Sequence, residues 1–134
     1  MNWKLILQLS MFGLVMGVAT VFFIPPKTEP VFWMAIFAVC AYVIARRCPA
    51  KRFLHGLLLG VVNSIWITAA HISFFNQYTA THPSEMEMLS SMSASDSPRW
   101  MMAMSGLLIG LVSGAVIGLF TPIIGKLMKP AKSA

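Results

Sequence analysis

Acidic residues are scarce in this chain: four Asp and Glu among 134 residues, against ten Lys and Arg. None of the four lies inside a long apolar run. Charged residues of both signs make up 10%, where a soluble domain carries about 25%. That leaves too little charge for a water-facing globular surface. Cysteine is limited to Cys40 and Cys48, with no Cys-x-x-Cys and no Cys/His spacing, which excludes a zinc-finger type of site. Also missing are a Gly-x-Ser-x-Gly elbow, a phosphate-binding glycine loop and His-Glu-x-x-His. No enzymatic activity and no cofactor are therefore expected.

The net charge of +6 raises the question of nucleic acid. A nucleic-acid surface needs basic residues gathered on one accessible face. Here they fall in short tracts between apolar runs, which is the pattern of a membrane protein. The expected partner is the lipid bilayer, not nucleic acid. Mean hydropathy is +0.76, in keeping with that reading.

Four apolar runs are present, at residues 3–24, 30–47, 53–75 and 98–124. At about 1.5 Å per residue each is long enough to cross a hydrocarbon core of about 30 Å, the second at the lower limit. Pro25 and Pro26 close the first run, since proline cannot continue a helix. Small residues of the signal-cleavage type do not stand before them, so the run is read as a retained helix. Pro30 suits a first helical turn. Asp96-Ser97-Pro98 reads as a cap followed by a first-turn proline. Pro122 is expected to bend or end the last helix.

The fold class predicted is all-α, an antiparallel four-helix transmembrane bundle forming one domain over residues 1–134. Lys4, Arg46, Arg47, Lys51, Arg52, Lys126, Lys129 and Lys132 share one side in this scheme. Only Lys27 and Arg99 fall on the other, with Glu29, Glu85, Glu87 and Asp96. The positive-inside rule makes the basic side cytoplasmic, so both termini are in. The expected location is a bacterial cytoplasmic (inner) membrane. The segment 76–97 is then an extracytoplasmic loop, with a short helix expected over 83–91. Cys48 falls in a cytoplasmic loop, where disulfides are rare, and two free thiols are expected.

Glycine recurs at every fourth position in the last run, at Gly106, Gly110, Gly114 and Gly118. The third run has Gly56 and Gly60, and the first has Gly13 and Gly17. Such faces let helix backbones approach closely. They imply helix packing within the chain or against a second copy or a partner membrane protein. The leading expectation for function is accordingly a structural or accessory subunit.

Asn63, Ser64, Thr68 and His71 gather on one face of the third run, with apolar residues opposite. Polar groups in a membrane are costly and frequently mark a solute path. A transporter or channel lined by these four is the alternative. His55, beside Lys51 and Arg52, is read as a surface group. The outer loop offers Met86, Met88 and Met92 near His82. Thioethers are soft ligands suited to Cu(I), which makes copper handling a third reading.

Small multidrug-resistance exporters, small fluoride channels and trimeric glutathione-dependent membrane enzymes are similar in size or span count. The exporters' first-helix glutamate has no counterpart in 3–24. The channels' arginine-containing glycine motif and the enzymes' intramembrane Arg, Asn and Glu set are missing too.

Overall fold

The computed structural model describes residues 1–92 and 97–128. Asp96, Lys129 and Lys132, on which part of the capping and orientation reading rests, lie outside the described residues. Among those described, the chain is helical with no strands: α1 (Trp3–Phe22), α2 (Glu29–Arg47), α3 (Arg52–Ser73), α4 (Phe75–Thr81), α5 (Pro83–Met92) and α6 (Pro98–Leu127). Four of them, α1, α2, α3 and α6, are long and apolar enough to cross a membrane.

Local chemistry sets the ends. Asn2 caps α1 by accepting the Leu5 N–H on its side-chain oxygen at 3.1 Å. At the other end the Phe23 and Ile24 amides both bond the Ala19 carbonyl, closing the helix before Pro25. Ser97 caps α6, its hydroxyl accepting from the Trp100 amide at 3.3 Å. Pro122 does not end α6, which continues to Leu127. Pro122 removes only the bond to the Gly118 carbonyl, and beside it Thr121 donates its hydroxyl to the Ile117 carbonyl at 2.7 Å.

The segment after α3 is more ordered than a plain loop. α3 stops at Ser73, α4 starts at Phe75, and α5 covers Pro83–Met92 where a short helix was predicted. Pro83 separates the two because the residue before proline is disfavoured in helical backbone; His82 sits there at φ −128° and ψ 56°.

α3 is central, packing most extensively on α6 and next on α1. A β-carbon on Gly60 would overlap the backbone of Gly114, and one on Gly56 the backbone of Gly118. Side-chain-free surfaces thus meet face to face, which is how helices in lipid gain dispersion contact without a hydrophobic drive. As the α3 number rises through Gly56, Gly60, Ser64 and Thr68, its α6 neighbour falls through Gly118, Gly114, Gly110 and Gly106. These two helices are antiparallel. α1 runs parallel to α3, since Gly13 meets Asn63 and Gly17 meets Ile67 and Ala70.

A buried cluster at the basic end joins all four long helices, with Leu5 and Leu9 from α1, Ile44 from α2, Leu59 from α3 and Ile117 from α6. Arg52 reaches the orphan carbonyls at the end of α2, bonding Cys48 O at 3.0 Å and Ala45 O at 3.2 Å. Its guanidinium lies against Gly125, where a β-carbon would intrude. Away from these contacts the long helices expose large apolar side chains, among them Val15, Leu108 and Val112, as a lipid-facing surface requires.

His55 corrects the surface reading. It is buried, and its Nε2 accepts the backbone N–H of Asn2 at 3.0 Å. Its Nδ1 is then the protonated nitrogen and donates to Lys51 O at 2.8 Å. The ring pins the start of α1 to the start of α3, an unmet amide at a helix beginning being the reason it is drawn inward.

Candidate functional site

The polar face of α3 is divided between two neighbours. Asn63 and His71 turn to α1, where His71 Nε2 shares a 2.9 Å hydrogen bond with the Thr20 hydroxyl. Ser64 and Thr68 turn to α6, opposite Gly110 and Gly106. Trp66 adds a further tie to α1, donating from Nε1 to the Ser10 hydroxyl at 3.2 Å. Asn63 is different in kind. It is buried to 3% exposure, and neither its amide nitrogen nor its oxygen has a hydrogen-bond partner. A buried amide left unpaired costs on the order of 1–3 kcal/mol per group, so its position calls for an explanation beyond packing.

Its side-chain oxygen faces Gly13 of α1, and the residue also borders open space. A cleft of about 650 Å³ opens between α2, α3 and α6, with Asn63 and Ser64 on one wall and Trp33, Phe37, Ile109 and Val112 among the others. A second cleft of about 410 Å³ adjoins it, lined by Ser64, Thr68, His71 and Tyr78, with α5 contributing Met88 and Met92. Glu29 and Glu85 line both.

The end of these clefts opposite the basic cluster is built by three elements. The rings of His71, Tyr78 and His82 form a stack, with centroids 3.9 Å and 4.2 Å apart and planes within 20°. His82 is fully buried, and its Nε2 faces the Glu29 carboxylate at 3.7 Å, beyond hydrogen-bond length. Glu29 takes the Trp33 indole N–H on its other oxygen at 2.9 Å. The Tyr78 hydroxyl donates to Glu85. Burial, then this bond and the nearby carboxylate charges of Glu85 and Glu29, raise the Tyr78 pKa above that of a free tyrosine. One ligand atom from each of Glu29, His82 and Glu85 falls within 4.8 Å of the others. No lysine or arginine among the described residues is in salt-bridge contact with either carboxylate.

Comparison with family models, with curated proteins and with solved structures finds no match to this chain. The site is therefore read from its own chemistry.

All four residues singled out on α3 line one cleft or the other: Asn63 and Ser64 the first, Ser64, Thr68 and His71 the second. The loop residues part company. His82 turns inward to Glu29, Met86 is half-buried, and Met88 and Met92 are largely exposed. Sequence reasoning passed over Glu29, Trp33 and Tyr78 as site residues. A signal for them was present: Glu29 and Trp33, and Tyr78 and His82, are spaced i,i+4, the interval that places side chains together on a helix. Thr20 gave no signal beyond its position in an apolar run.

Proposed function

We propose that this chain is an integral membrane protein with four antiparallel spans, both termini cytoplasmic, that binds a small cation at its outer face and passes it along the α2–α3–α6 cleft. The observation that carries this is the pair of adjoining clefts, floored by the polar residues of α3, which share Glu29 and Glu85 at one end. Carboxylates without a lysine or arginine partner attract cations, and low-dielectric walls strengthen that attraction. Asn63 and Ser64 border the same cleft deeper in, beyond the mouth, and intramembrane polar residues frequently mark a solute path.

The reading as an accessory subunit drew on the glycine faces. Those of α3 and α6 are spent on each other within one chain, so they no longer call for a partner. Residues 76–97 lie on the outer side in this scheme, placing the acidic cluster where an incoming cation first meets the protein.

Uptake into proteoliposomes tests the reading, with a divalent-metal dye and a lipophilic organic cation as separate probes. Cation entry above that of empty vesicles is expected, slowed by Asn63→Leu and by His71→Leu. Entry of neither probe above the empty-vesicle rate would refute transport. A carboxyl-terminal tag should resist protease added outside intact cells, and cleavage there would refute the orientation.

A further inference from the structure

We propose that Glu29, His82 and Glu85 form a binding site for a first-row divalent metal ion such as Zn2+ or Mn2+, which makes a metal ion the cation of the reading above and rests on that reading for its transport role only. Two helices and the link between α4 and α5 deliver the ligands. Glu29 starts α2, His82 stands between α4 and α5, and Glu85 lies in the first turn of α5. Their nearest ligand atoms lie within 4.8 Å of one another. Ligands at about 2.0–2.2 Å from an ion sit about 3.0–3.5 Å apart in tetrahedral or octahedral geometry, so closure asks each side chain to move by about 1 Å.

The hydrogen bonds around the three ligands form the outer shell that metal sites use to orient their donors. Trp33 holds one oxygen of Glu29 and leaves Oε2, the atom nearest His82, free. Tyr78 holds Oε2 of Glu85 and leaves Oε1 free. His82 Nδ1 lies 2.8 Å from the Thr81 hydroxyl and 3.3 Å from the Tyr78 carbonyl. Thr81 has its own acceptor in that carbonyl at 3.0 Å, so Nδ1 is the nitrogen that donates. Nε2 is then a bare lone pair, fully buried, without a hydrogen-bond partner and directed at a carboxylate. Two electron-rich atoms held face to face repel each other unless a proton or a metal ion lies between them.

The donor set selects the ion. Two carboxylates and one imidazole suit borderline and hard divalent ions, whereas Cu(I) prefers thioethers. Three protein ligands leave coordination positions open for water, and the clefts that Glu29 and Glu85 line provide the way in and out.

The test is a Co2+ titration of the chelator-stripped full chain in detergent, read by the visible absorption of bound cobalt, with Zn2+ as competitor. One Co2+ per chain is expected, displaced by Zn2+. Glu29→Gln and Glu85→Gln, which keep shape, should each weaken binding at least tenfold with unchanged far-UV circular dichroism. Glu87→Gln, on the exposed side of α5, should match the parent. No cobalt absorption from the folded parent would overturn the site. So would equal affinity in the two Gln variants and the parent, or Cu(I) binding that depends on Met86, Met88 and Met92 but not on the carboxylates. Tight Co2+ binding without metal uptake by proteoliposomes would establish the site and refute transport. Uptake of the organic cation alone, without cobalt binding, would refute the site and leave transport standing.

Discussion

Replacing Gly60 with alanine adds one methyl group where the two central helices touch. Its β-carbon would lie 2.5 Å from the Gly110 carbonyl oxygen and closer still to the Gly114 backbone, against an ordinary contact of 3.4 Å or more. Backbone atoms cannot rotate away, so α3 and α6 must separate locally by about 1 Å. A gap of that size forfeits a quarter to a half of the dispersion energy of each contact it opens. Overpacking of this kind costs about 1–3 kcal/mol, and alanine returns up to about 1 kcal/mol in helix propensity. The net expectation is a loss of about 1–2 kcal/mol. With an unfolding entropy of about 2.1 cal/mol/K per residue over 134 residues, that lowers Tm by about 4–7 °C. Gly106→Ala is the internal control. There the obstruction is the Thr68 hydroxyl, the end of a side chain that can turn, so Tm should stay within about 2 °C of the parent or rise. The assay is thermal unfolding in detergent followed by a thiol-reactive dye, because Cys40 and Cys48 are both free and buried. Equal midpoints for the Gly60 and Gly106 variants would refute backbone-to-backbone packing at Gly60.

Thr20→Val keeps the shape of the side chain but removes the partner of His71. The buried ring nitrogen left unpaired should cost about 1–2 kcal/mol, seen as a lower Tm than that of Thr20→Ser, and equal midpoints would count against the bond. Tyr78 has a folded pKa raised above the unfolded value of 10.0. Its contribution is therefore complete below pH 10 and is lost as pH rises beyond it. Denaturant midpoints should fall in alkaline solution above pH 10 less steeply in Tyr78→Phe than in the parent; parallel curves would remove the claim.

The four long helices and the scarcity of charge within them are legible in the residues alone, because hydropathy and helix length act along the chain. Pro25, Pro30 and Ser97-Pro98 punctuate the helices for the same local reason, and the i+4 glycines mark close approach without saying to what. Which surfaces meet is a matter of three dimensions. Gly60 chose Gly114, and Asn63 was placed against Gly13 without a partner for its amide, because helix crossing and rotation depend on all the contacts at once. Glu29, His82 and Glu85 are separated by Pro30, two whole membrane-length helices and Pro83. Only the return of α4 and α5 over the end of α2 brings them within reach of one another, so residue types distributed through the chain became a site only through the tertiary fold. His55 illustrates the same point at the opposite end: beside Lys51 and Arg52 it has the neighbours of a surface group, and the unmet amide of Asn2, more than fifty positions away, makes it a buried one.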